Sequence, residues 1–197
     1  MVTAVRDTRQ TIVTSALQLF HRQGYASTTV QQVAEAAAIS KGNLTYHFPN
    51  KLSLFTEAHS QAADYLKSRI MQRSFDEAVD TVSGVEAFTR RVRRWMIDAE
   101  AHFVGCMFTN IAVEAQHSDR EAARLARQTL LEAKEILTVY LATGQQLGEV
   151  RSDFEPGKLS QAFFWMYEGA LTLSRVNDDP KEFDAFCSSI RLWLSPP

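Results

Sequence analysis

The chain has 197 residues, 45% of them hydrophobic and 22% charged, with a formal net charge of −2, an ordinary globular composition that excludes a disordered or collagen-like chain. No apolar run approaches the ~20 residues needed to span a bilayer, and the polar stretch MVTAVRDTRQTIV lacks a signal peptide's apolar segment, so a cytoplasmic location is expected. The two cysteines, Cys106 and Cys187, form no CxxC pair and have no histidine at ligand spacing, so neither a metal site nor a cofactor is expected.

The sequence reads as helices throughout, with no alternating strand pattern, and an all-α fold is expected. A first helix is predicted over about 8–23, where Ile12, Ala16, Leu19 and Phe20 share a face and Gly24 follows as terminator. A second opens at Ser27-Thr28, with Thr28 and Gln31 at capping-box spacing, and buries Val30, Val33, Ala34 and Ala37. Ala38-Ile39 form a short turn. Ser40 caps a brief third helix over 41–47, which Pro49 ends. A longer helix over about 50–73 carries Leu54, Phe55, Ala58, Ala62 and Tyr65, and Ser83-Gly84 reads as a break. Further helices are expected at about 86–101, 105–116, 119–146, 157–176 and 181–194.

Helix, short turn and short helix near the N-terminus form the helix-turn-helix arrangement, whose second helix enters the DNA major groove. Asn43, Tyr46 and His47 lie at i, i+3 and i+4 and share a face of amide, phenol and imidazole, able to hydrogen-bond to bases and phosphates. Leu44 and Phe48 share another face, suited to packing inward. Gly42 would let the backbone approach the groove wall. Lys51 and the free amides that start the fourth helix are placed to hold a phosphate. Residues 1–51 carry a net +3 against −5 for the remainder, a basic head on an acidic body. Gln31 has two competing uses, the capping box and DNA.

The stretch TIVTSALQLFHRQGYASTTVQQVAEAAAISKGNLTYHFPNKLSLF, Thr11 to Phe55, closely resembles the DNA-binding domain of TetR-family transcriptional regulators. The likeness rests on the spacing of Gly24-Tyr25, Thr28-Thr29, Ser40-Lys41-Gly42 and Tyr46-His47-Phe48, and covers roughly a quarter of the chain. It implies that Gln31, Lys41, Gly42, Asn43, Thr45, Tyr46 and His47 lie at or near DNA, and that Lys51 holds a phosphate. Position 45 is usually tyrosine in this motif. Thr45 reaches less far. The resemblance also implies a helix-turn-helix domain over 1–51 and a helical effector-binding and dimerisation domain over 52–197. The implied partners are a double-stranded DNA operator, a small-molecule effector and a second copy of the chain, with no membrane. Repression is the family expectation. No paired carboxylates, GxSxG, phosphate loop or metal set suggests an enzyme.

A single helix-turn-helix reads too few base pairs, so a two-fold dimer is expected. The helix over 157–176 is apolar nearly all round and needs cover on more than one side. Phe163, Tyr167, Phe183, Phe186, Ile190 and Trp193 are the candidate interface, in a four-helix bundle across the two-fold axis. The middle helices would frame an effector cavity lined by Phe103, Met107, Ile111, Tyr140, Trp165 and Glu168. Glu168 would either meet a cationic or hydrogen-bonding effector or pair with Arg175 or another arginine. Cys106 opens a helix and reads either as a redox-sensing thiol or as a small buried helix-starter. Two alternatives to an effector-released repressor therefore stand: a redox- or electrophile-sensing repressor using Cys106, and a dimeric regulator with no effector.

Overall fold

The computed structural model describes residues 2–96 and 102–197, and every regular element in them is a helix. The elements are α1 (Val2–Ser27), α2 (Val30–Ala36), α3 (Lys41–His47), α4 (Lys51–Asp64), a π-helical stretch Tyr65–Gln72, α5 (Arg73–Asp76), α6 (Thr81–Trp95), α7 (Met107–Glu114), α8 (Arg120–Gln146), α9 (Pro156–Asn177) and α10 (Lys181–Leu194). The end of the helix expected over 86–101 lies outside the described residues. Two compact units emerge, Met1–Ala63 with Met107–Thr129, and Asp64–Cys106 with Leu130–Pro197. This division differs from a cut after residue 51: the first unit keeps most of α4 and recruits α7 and the opening turns of α8.

In the first unit, α1 buries Ile12, Val13, Ala16 and Phe20, α3 contributes Leu44 and Phe48, and α4 contributes Leu54, Phe55 and Ala58. The Phe55 ring meets Phe20 edge-on at 5.4 Å and Tyr25 at 4.9 Å. His59 is buried between Phe55 and Phe108, its Nε2 3.1 Å from the Thr129 hydroxyl, which satisfies a polar ring in an apolar core. The helix of α1 breaks at Gly24, where φ is 85° and a side chain would collide with the Glu114 carboxylate. Thr28 is buried and donates to the Gly24 carbonyl at 2.7 Å. The cap of α2 is therefore Thr29, one residue later than expected. Its hydroxyl accepts from Gln32 N at 3.1 Å, and Gln32 Oε1 accepts from Thr29 N at 2.8 Å.

In the second unit, α6 packs against α9 and α10 around Phe88, Phe163, Tyr167, Phe183 and Phe186, whose rings meet at 5.3–6.3 Å. Ser83-Gly84 is not a break. Asp80 caps α6 by accepting from Ser83 N at 2.7 Å, and Ser83 Oγ accepts from Asp80 N at 3.2 Å. Gly84 lies inside α6 because the Tyr140 hydroxyl of α8 occupies the space a side chain would need. Gly144 makes the matching concession to Thr81, and Glu149 accepts from both Thr81 N (2.8 Å) and Thr81 Oγ1 (2.6 Å). The helix expected over 50–73 changes its hydrogen bonding at Tyr65, where the π-helical stretch begins.

Candidate nucleic-acid interface

The turn between α2 and α3 aims the third helix. Ile39 N donates to Ala34 O at 3.0 Å and Ala38 N to Glu35 O at 3.0 Å, the paired bonds of a Schellman motif. Ala38 holds the left-handed position at φ 54°, where glycine is usual. Ser40 then caps α3 by accepting from Asn43 N at 3.1 Å. Leu44 and Phe48 are buried, which fixes the rotation of α3 about its axis. Lys41, Gly42, Asn43, Thr45 and Tyr46 consequently face solvent, with Tyr46 84% exposed, and His47 is half-buried beside it at 5.3 Å between ring centroids.

Not every expected polar group on this face is available in the form the sequence suggests. Thr45 Oγ1 donates to Lys41 O at 2.9 Å, so its one proton is engaged within the helix and its oxygen remains an acceptor. Because the capping box sits at Thr29 and Gln32, Gln31 is released from it. The Gln31 amide, fully on the surface, donates to Glu35 at 2.8 Å. At the start of α4, Asn50 Oδ1 accepts from Ser53 N at 2.8 Å, so that amide is not free for a phosphate.

Lys51 sits in a small polar assembly. Its ammonium is 4.3 Å from the centroid of the Tyr25 ring and donates to Ala26 O at 3.3 Å. Burial lowers its pKa, and the charges of Glu114 and Asp119 oppose that shift. Both acids act on the same turn. Tyr25 donates its phenol proton to Asp119 Oδ2 and its backbone N–H to Glu114 Oε1, and Ala26 N also reaches Glu114 at 3.4 Å. Burial first, then the Asp119 bond and charge, push the Tyr25 phenol far above its ordinary range. The end of α7 and the residue before α8 thus grip the turn at Tyr25-Ala26, which the Lys51 ammonium contacts from the start of α4. Arg9 holds the C-terminal end of α3: its guanidinium lies 4.3 Å from the Phe48 ring centroid, donates to His47 O at 3.1 Å and pairs with Glu57. Tyr25, Glu114, Asp119 and Arg9 were not predicted as site residues. Their hydrogen bonds to the Tyr25 turn and to α3 span 38 to 94 residues, beyond any local spacing signal.

The expected effector residues are divided between the two units. Met107 and Ile111 belong to the core of the first unit, and Phe103, Tyr140, Trp165 and Glu168 to the second. Phe103 packs on Phe183 at 6.2 Å, and Tyr140 stacks on Phe75 at 3.9 Å. Trp165 is 70% exposed and lines no interior. The Glu168 carboxylate oxygens are buried, and their charge contributes, after burial and Cys106, to raising the neighbouring Tyr167 phenol. Cys106 is buried immediately before α7, which leaves its thiol little access to a reagent.

Of the expected dimer residues, Phe163, Tyr167, Phe183, Phe186 and Ile190 are buried in the chain's own core, and Trp193 is half-buried. The large apolar residues exposed on the same helices are Trp165, Leu173 and Val176 on α9, and Leu192 on α10.

Two family profiles match the chain: "Bacterial regulatory proteins, tetR family" over residues 12–58, and "Tetracyclin repressor-like, C-terminal domain" over residues 81–190. The chain is 27% identical over 181 residues to the transcriptional regulator AcuR of Cereibacter sphaeroides, covering 90% of this chain and 80% of the relative. It is 23% identical over 192 residues to the HTH-type transcriptional repressor DhaR of a Mycobacterium species, covering 95% and 92%. In fold it is similar to a TetR-family regulator from Agrobacterium tumefaciens, with a TM-score of 0.87 at 19% identity over 96% of this chain and 98% of that one. A regulatory protein TetR from Rhodobacter sphaeroides gives 0.84 at 21% identity, over 94% and 97%.

Proposed function

Because the chain belongs to the TetR family of transcriptional regulators, we propose that it is a repressor that binds its operator as a homodimer and leaves it when a small-molecule effector occupies the helical body. A regulator of this family is not an enzyme. The observation that carries the DNA reading is the division of α3: Leu44 and Phe48 anchored inside, Asn43 and Tyr46 exposed, with His47 half-buried beside them. In the major groove the amide and phenol address base edges, Lys41 and Lys51 address phosphates, and Gly42 permits close approach. DhaR's description as a repressor supports that sign of regulation. No described helix is long and apolar enough to cross a membrane, and a regulator that meets chromosomal DNA acts in the cytoplasm.

The dimer forms through the outer face of α9. Trp165, Gly169, Leu173 and Val176 lie at i, i+4, i+8 and i+11, one exposed stripe with a glycine near its centre that lets two backbones approach. Release works through the grip on Tyr25. Glu114 and Asp119 belong to the middle of the sequence yet hold the turn beside Lys51, so an effector that displaces α7 also displaces that turn. The two recognition helices then no longer match half-sites ~34–36 Å apart, and affinity falls because the effector prefers the mismatched state. Selection from a random duplex pool tests the first part: a two-fold symmetric site should be enriched, and an unenriched pool would contradict the DNA reading. A thermal-shift screen tests the second. An effector at a hundred times its Kd should stabilise the protein by about 2.7 kcal/mol and release the selected duplex. A bound compound that leaves DNA affinity unchanged would leave dimeric regulation without effector control.

A further inference from the structure

The first unit carries a basic surface that the helix-turn-helix does not use. A cleft of about 460 Å³ lies between the end of α7 and the first turns of α8, lined by Gln116, His117, Arg120, Arg124 and Arg127 over an alanine floor. The three arginines fall at i, i+4 and i+7, a single face of α8 roughly 10 Å long, and all are exposed. Arg124 is held by Glu121, through bonds of 2.8 and 2.7 Å, and by Gln128 at 3.1 Å. Among the described residues Arg120 and Arg127 have no ion-pair partner. The other nearby acids are turned away: Asp119 accepts the Tyr25 phenol and caps α8 through Ala122 N at 3.1 Å, and Glu114 accepts the amides after Gly24.

The geometry points to this arginine face as a second, sequence-independent contact for DNA phosphates, outside the recognition helix. The inference rests on the reading of the chain as a DNA-binding regulator. Two observations favour duplex DNA over a small anion. The cleft is open and its guanidiniums are solvated, so a lone anion would be weakly held, whereas a polyanion gains by counterion release at each phosphate. The cleft also adjoins the proposed phosphate site. Arg120 follows Asp119, which receives the Tyr25 hydroxyl, and the Tyr25 ring lies against the Lys51 ammonium.

The test compares the unaltered chain with the Arg120→Gln/Arg124→Gln/Arg127→Gln variant and the corresponding triple Lys variant. Each is titrated with a mixed-sequence duplex long enough for two half-sites, from about 20 to 200 mM salt. Melting temperature and sedimentation establish that all three are folded alike. The Gln variant should lose roughly two units of salt slope per protomer, at ~0.9 for each phosphate held by the unpaired Arg120 and Arg127, with no change in the sequence selected. The Lys variant should recover most of that slope. An unchanged slope in the Gln variant would overturn this inference alone, as would a Lys variant as defective as Gln. Loss of stabilisation by inorganic phosphate with the DNA slope intact would assign a small-anion site and overturn it too. Failure of the unaltered chain to bind any duplex would bring down this inference together with the reading beneath it.

Discussion

Helices α3 and α9 both hold large side chains out of the core, with opposite chemistry. On α3 the exposed aromatic is Tyr46, flanked by Asn43, Thr45 and Lys41, each with a polar group to offer. On α9 the exposed side chains Trp165, Leu173 and Val176 form an apolar stripe interrupted by Gly169. A polar surface with one phenol suits a hydrated groove whose edges donate and accept hydrogen bonds. An apolar stripe of that size suits another protein surface, because its cover is favourable only if water leaves it. Exposure alone therefore does not identify a partner. The chemistry of what is exposed does.

The comparison breaks most easily at its buried anchors. Leu44→Ala removes a fully buried side chain from the inner face of α3, and should lower folding stability by about 2–5 kcal/mol in urea denaturation. A loss below about 1 kcal/mol would mean that α3 is not held as described. At α9, Trp165→Ala should weaken the dimer by about 2 kcal/mol or more in sedimentation equilibrium. Gly169→Leu is a cleaner companion, because nothing lies within 4 Å of a side chain added there. It should hinder dimerisation while leaving the monomer fold intact, and a dimer unaffected by both changes would move the interface elsewhere.

A smaller effect appears at alkaline pH. Burial, then the charges of Glu149, Asp80 and Asp76, push the Tyr140 phenol up to about 12 from 10.0. A raised folded pKa favours the protonated phenol, so its contribution is present below pH 10 and is lost as pH rises toward 12. The urea midpoint should fall across that window, and less steeply in Tyr140→Phe. Identical pH profiles would remove Tyr140 from the account. The smallest effect concerns Ala38. Relieving its left-handed strain with Ala38→Gly should raise stability by about 0.5–1 kcal/mol, and destabilisation would contradict the turn geometry.

Local chemistry explains what the sequence made legible. The third helix is bounded by Ser40 and Pro49, and the span of α10 follows from Pro180 and the 3–4 spacing of its apolar residues. The capping box slipped by one because Thr28-Thr29 and Gln31-Gln32 are both doubled, so a three-residue spacing fits either pair. Only the burial of Thr28 decides between them. Gly84 looked like a break because a glycine that admits Tyr140 and one that ends a helix are written alike. The all-round apolar character of α9 is legible in its sequence, but which of its residues face this chain's own α10 is not. The grip of Glu114 and Asp119 on Tyr25 is tertiary, and no local pattern announces it.

The most direct measurement is fluorescence anisotropy of a labelled duplex carrying the two-fold site recovered by selection, titrated with the unaltered chain and with Asn43→Ala/Tyr46→Ala/His47→Ala. These three side chains lie outside the core, so the variant should melt like the unaltered protein. The account predicts binding by the unaltered chain and a loss of at least about tenfold in the variant, on the scale of 1–3 kcal/mol for each good base contact. Equal binding by the two proteins, or none by either, would contradict it.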